Sequence, residues 1–181
     1  MTAFGNTPFS PTEPAFTVAE AARVSGNTEL DIRNWMRRDV ISVGAKNRLG
    51  RIMFTALDIV QLKVIGDMNK LLGTDPSASL PIAKHVMEHC AAWLRRDNKH
   101  LHRTEDGFKR ETNLVLHLGD DGRTPVMTLF ERDILTLSAT DRGQGSDWTR
   151  RPIVVLPVEQ FFGDVLEELF QILEGEDVDG T

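Results

Sequence analysis

The chain has no tyrosine and a single cysteine, Cys90, among its 181 residues. Lack of tyrosine excludes mechanisms built on a tyrosine nucleophile, one class of DNA recombination chemistry among them. One cysteine closes no intrachain disulfide and supplies no cluster of thiolates. No run approaches the roughly 20 apolar residues that span a bilayer, which excludes a membrane-spanning reading. The opening MTAFGNTPFSPTEP lacks a basic start followed by an apolar stretch, so no secretory signal is read there. The expected location is the cytoplasm. Gly-x-Ser-x-Gly, Walker and paired-carboxylate patterns are missing, and Gly143-Gln144-Gly145 lacks the helix that a nucleotide fold needs after it. Neither enzymatic activity nor a cofactor is expected.

What is present is an ordinary globular composition, 40% hydrophobic and 27% charged, whose net charge of −6 is unevenly spread. Residues 17 to 70 carry nine Lys and Arg against six Asp and Glu; residues 71 to 181 carry twelve against twenty. A basic front and an acidic rear suit a module that touches nucleic acid followed by one of different purpose.

Along the chain, residues 1–15 predict a disordered leader. Thr17 with Glu20 three residues on predicts a capped first helix carrying Val18, Ala21, Ala22 and Val24 inward, stopped at Ser25-Gly26. A second helix starts at Asn27 or Thr28, with Leu30, Ile32, Trp35 and Met36 as its apolar positions. Residues 41–54 then predict a hairpin with a basic tip, and Thr55 caps a third helix that ends near Gly73. Ser79 and Pro81 predict the start of a fourth helix, with Ile82, Val86, Cys90 and Trp93 on one side.

Polar residues 95–111 predict a linker. Beyond it, two strands flank Asp120-Asp121-Gly122, Asp133 to Ser138 is a possible third, and 142–147 is a loop. Ile153 to Leu156 is a further strand, and a final apolar helix precedes an acidic tail at 175–181. The fold class expected is α+β. An N-terminal winged helix-turn-helix domain spans 16–94, and a small C-terminal antiparallel sheet packed on a helix spans 112–174.

A helix about 10 to 12 Å across fits the major groove of B-DNA, where arginine forks onto guanine. Arg33, Asn34, Arg37 and Arg38 on the second helix are therefore candidates for DNA contact. Lys46, Asn47, Arg48 and Arg51 on the hairpin are candidates for phosphate contact or minor-groove entry. Thr17 and Thr28 stand at helix starts, where a hydroxyl caps and backbone N–H groups can hold phosphate.

Residues 16–72, FTVAEAARVSGNTELDIRNWMRRDVI followed by GRIMFTALDIVQL, resemble the MerR-like winged helix-turn-helix family. They are closer to its excisionase and phage-type relatives than to its metal sensors. Arg33 and Trp35 match the family's recognition-helix arginine and the aromatic two residues later. Arg51, Phe54, Thr55 and Asp58 match its return from the wing into the next helix. Asp31 stands where the family usually has Thr, and Asp39 where it usually has Gly. The resemblance implies a transcriptional regulator that binds double-stranded DNA, in a bacterial or phage-type nucleoid setting.

Specific DNA sites are commonly read by paired subunits, so a homodimer is expected. The apolar arc of the last helix, Phe161, Phe162, Leu166, Leu169 and Ile172, is wider than one sheet face requires and is the candidate seam, or a surface for a protein partner. Two alternatives stand beside this reading. One is an excisionase-like or architectural DNA-binding accessory protein. The other is a metal- or protein-binding adaptor, in which His85, His89 and Cys90 with His100 and His102 supply nitrogen and sulfur ligands.

Overall fold

The structure, a computed structural model, describes residues 9–95, 103–104, 107–108, 113–118, 125–130 and 153–175. The Asp120-Gly122 turn, the possible strand from Asp133, the 142–147 loop, the Trp93 side chain, His100, His102 and residues 176–181 lie outside the described residues.

Helix α1 (Val18–Ser25) opens on Thr17, whose hydroxyl accepts from the Glu20 N–H at 3.3 Å while the Glu20 carboxylate accepts from the Thr17 N–H at 2.6 Å. Two of the unpaired donors at the helix start are thereby satisfied reciprocally. It ends at Gly26, which takes the left-handed φ of 66°. Helix α2 (Glu29–Arg37) starts from Thr28, and α3 (Ala56–Leu72) starts from Thr55 paired with Asp58. Between them β1 (Ala45–Lys46) and β2 (Ile52–Met53) pair antiparallel, with Lys46 opposite Ile52.

The elbow between α1 and α2 is tied to α3 through two side chains, Lys70, whose Nζ donates to the Gly26 carbonyl, and Asn27. Asn27 Nδ2 donates to the Leu62 carbonyl at 2.9 Å and to Ser25 Oγ at 3.1 Å. A Cβ at Gly66 would stand 2.2 Å from Asn27 Oδ1, so only glycine admits this contact. Glycine inside a helix costs about 1 kcal/mol against alanine. Here it is the condition for the elbow's approach.

Helix α4 (Pro76–Arg95) begins three residues before the expected Ser79. Asp75 supplies the reason: its Oδ1 accepts from the Ser77 N–H at 2.8 Å, and Pro76 occupies the first helical position, where a missing N–H costs nothing. Pro81 therefore lies inside the helix, which ends at Arg95. The leader is likewise shorter than expected. Phe9 packs edge-on against Phe16 at 5.1 Å, and the Ala15 N–H donates to the Phe54 carbonyl at 3.0 Å, so residues 9–15 are attached to the fold.

Farther along, β3 (Arg103–Thr104) pairs with β4 (Gly107–Phe108). Strands β5 (Asn113–Leu118), β6 (Pro125–Phe130) and β7 (Ile153–Pro157) form an antiparallel sheet in the order β6-β5-β7, with Leu116 opposite both Met127 and Val154. Helix α5 (Val158–Glu174) follows directly. Among the described residues no helix is long and apolar enough to cross a membrane.

Helix α5 packs on the helices of residues 16–94. It lies against α1, α3 and α4, and Phe161, Phe162, Val165, Leu166 and Leu169 are buried in one core with Phe16, Ile32, Phe54, Ile59, Leu62 and Ile65. The wide apolar arc is thus used inside the chain. Of the expected seam, Phe161, Phe162, Leu166 and Leu169 are buried there and Ile172 is half-buried beside them, which leaves little of the arc for a second chain. The physical reason is that the apolar side of α5 is covered by the helices of residues 16–94.

Charged groups rim this junction. Lys63 Nζ stands 4.0 Å from Asp67 Oδ2 and 5.6 Å from the centre of the Phe161 ring. Burial pushes the Asp67 carboxyl above its ordinary value, and the nearby Lys63 and Lys70 offset this only in part. Glu168, at the edge of α5, is raised for the same main reason, against the pull of Lys63 and Arg23. A carboxyl raised in the folded state stabilises the fold below its unfolded value, and that contribution is lost as pH rises through the folded one. Asp67→Asn is therefore expected to raise the melting temperature at pH 7 and to leave it unchanged near pH 3. A lower melting temperature at pH 7 would show that attraction to Lys63 outweighs desolvation.

Candidate nucleic-acid interface

The phase of α2 is set by Ile32, which is fully buried, with Trp35 and Met36 half-buried against the same core. The opposite stripe, Leu30, Arg33, Asn34 and Arg37, follows the i, i+3, i+4, i+7 spacing of one helical face. Leu30, Arg33 and Arg37 are exposed and Asn34 is half-buried. Of the two apolar side chains nearest the start of α2, Ile32 enters the core and Leu30 is exposed on the opposite side.

Both ends of α2 are closed by hydrogen bonds, the first through the Asp31 side chain and the second through the backbone at Asp39. At the start, the Thr28 hydroxyl donates to Asp31 Oδ2 at 2.6 Å and accepts from the Asp31 N–H at 3.1 Å. Asp31 thus tightens the cap. At the exit, the Val40 N–H donates to the Trp35 carbonyl at 2.9 Å and the Asp39 N–H to Met36 at 3.1 Å. This is the Schellman closure, which needs a left-handed residue at the position of Asp39. Asp39 adopts φ 53°, the one described non-glycine residue with positive φ. The usual glycine is explained by this geometry, and aspartate is among the few side chains that tolerate it.

The polar groups of the stripe are held but not locked. Arg33 Nη2 lies 3.2 Å from Glu29 Oε2, with both side chains about half exposed, at 57% and 48%. An exposed i, i+4 pair contributes about 0.3 to 0.5 kcal/mol, less than an arginine fork on a guanine edge would. Arg37 Nη2 donates to Asn34 Oδ1 at 3.0 Å.

In the hairpin, Lys46, Asn47, Arg48 and Arg51 are all exposed. The Asn47 side chain has an internal task that the sequence did not announce. Its Oδ1 accepts from the Leu49 and Arg51 N–H groups, each at 3.0 Å, while the backbone closes from Asn47 N–H to the Arg51 carbonyl at 2.8 Å. The tip is thereby closed by its own hydrogen bonds, and Lys46, Arg48 and Arg51 form no ion pair among the described residues. Arg38, at the end of α2, is exposed on the side of Asp75, whose carboxyl is held below its ordinary value by the Ser77 hydroxyl first and by Arg38 in small part. Thr17 and Thr28 are both helix caps, and their hydroxyls are engaged there.

Cys90 is 1% exposed and packs in the core beside Val86, whereas His85 is exposed one turn away. No group of three His, Cys, Asp or Glu that could hold a metal ion occurs among the described residues.

No curated protein matches the chain. Residues 16–78 match the family model described as MerR HTH family regulatory protein, and this part of the chain is a MerR-like helix-turn-helix segment.

Proposed function

We propose that the protein is a sequence-specific transcriptional regulator of MerR-like type, working in the cytoplasm on nucleoid or phage-type DNA. Helix α2, from Thr28 to Arg38, enters the major groove, and the 44–51 hairpin tip lies on the backbone or in the adjoining minor groove as a wing. It binds and performs no chemistry. The observation that carries this reading is the exposed stripe of Arg33, Asn34 and Arg37, set on a helix capped at both ends, within the segment similar to the MerR family. The cationic hairpin tip, closed by the Asn47 side chain, supports it, because a turn held by its own hydrogen bonds has less conformational freedom to lose on docking.

A single module of this size makes few phosphate contacts, so a homodimer is part of the proposal. Its seam lies on a surface other than the buried arc of α5. Selection of bound fragments from random duplex DNA tests the whole reading. Enrichment of a palindromic site is expected; enrichment of a lone asymmetric site removes the homodimer, and no enrichment at all removes the regulator.

A further inference from the structure

Leu30 lies in the first turn of α2 and is 67% exposed. It takes no part in the core, and its burial would have required α2 to turn Ile32 outward. The polar side chains around it have partners inside the helix: Asp31 on Thr28, Arg33 on Glu29, and Arg37 on Asn34. The face that α2 offers to a groove therefore begins with an apolar group in the turn that meets base edges when such a helix docks. Only one feature of the four base pairs is apolar in the major groove, the C5-methyl of thymine.

We propose that Leu30 reads a thymine methyl, giving the bound site a fixed thymine next to the base contacted by Arg33. This inference rests on α2 entering the major groove. Contact between Leu30 and the methyl removes apolar surface from water on both sides, and no hydrogen bond has to be exchanged for it. Cytosine carries only C5–H at that place and buries less apolar surface, while the purines present N7, which would lose water against the leucine without gaining a partner.

The test replaces each thymine of the selected site by deoxyuridine, which deletes the methyl and keeps every hydrogen-bonding group. One replacement is expected to weaken binding of the natural chain about four-fold, the factor for one buried methyl group. The same replacement should leave Leu30→Ser unaffected. Because Leu30 is exposed, Leu30→Ser should keep the melting temperature and the salt dependence of binding. If no deoxyuridine costs the natural chain more than it costs Leu30→Ser, the methyl contact is overturned while DNA binding stands. If selection yields no bound DNA, both the contact and the regulator fall together.

Discussion

Phe162→Ala is expected to lower the unfolding free energy by about 3 to 5 kcal/mol, the usual cost of truncating a fully buried phenylalanine. Phe162 is 0% exposed and belongs to α5, yet the core it fills is shared with α1, α3 and α4. A domain of this size is stable by about 5 to 15 kcal/mol, so this one change removes a large part of the total. The decisive readout is where the loss is felt. Trp35 sits on α2, half-buried against the same core. In a chain where Trp93 and Trp148 are replaced by phenylalanine, denaturation followed by Trp35 fluorescence should shift by the full amount. An unmoved Trp35 transition would mean that the helix-turn-helix part is stable without α5.

The second large effect divides the two halves of the interface. Arg33→Ala should relax base preference at one position by about 1 to 3 kcal/mol, roughly 5- to 150-fold in affinity for the preferred site, with little change for random DNA. Arg48→Ala should instead weaken binding to all sequences alike. The slope of log affinity against log salt should fall by about one unit as one phosphate contact is lost. Glu29 sharpens the first expectation, since its exposed pair with Arg33 contributes too little to hold the guanidinium away from a base. An unchanged slope for Arg48→Ala would remove the hairpin tip from the DNA.

Much of the front of the molecule was legible because its determinants are local. Thr17 with Glu20, Thr55 with Asp58, and glycines at 26 and 73 mark helix ends through hydrogen bonds that span three or four residues. The start of α4 was misread for an equally local reason. Pro76 and Pro81 both suit a first turn, and only the Asp75 side chain's bond to Ser77 decides between them. The caps of α2 were legible as positions but not as partners. Asp39 replaces a glycine in sequence, and its φ of 53° shows why glycine is usual there.

The candidate site divides in the same way. Which cations lie on α2 and the hairpin follows from spacing alone. That Asn47 binds its own turn, that Arg37 rests on Asn34, and that Leu30 faces water while Ile32 does not required the packed helix.

By itself the sequence determined the capped helices, the hairpin between them and the positive side chains they carry. Hydrogen bonds within a few residues and a 3.6-residue period encode all of these. Only the tertiary structure decided where α5 goes, how the elbow at Asn27 meets Gly66, and which apolar side chains of α2 stay outside. Such choices depend on which surfaces separated by a hundred residues bury each other. An amphipathic pattern states that a face will be covered, and packing states by what.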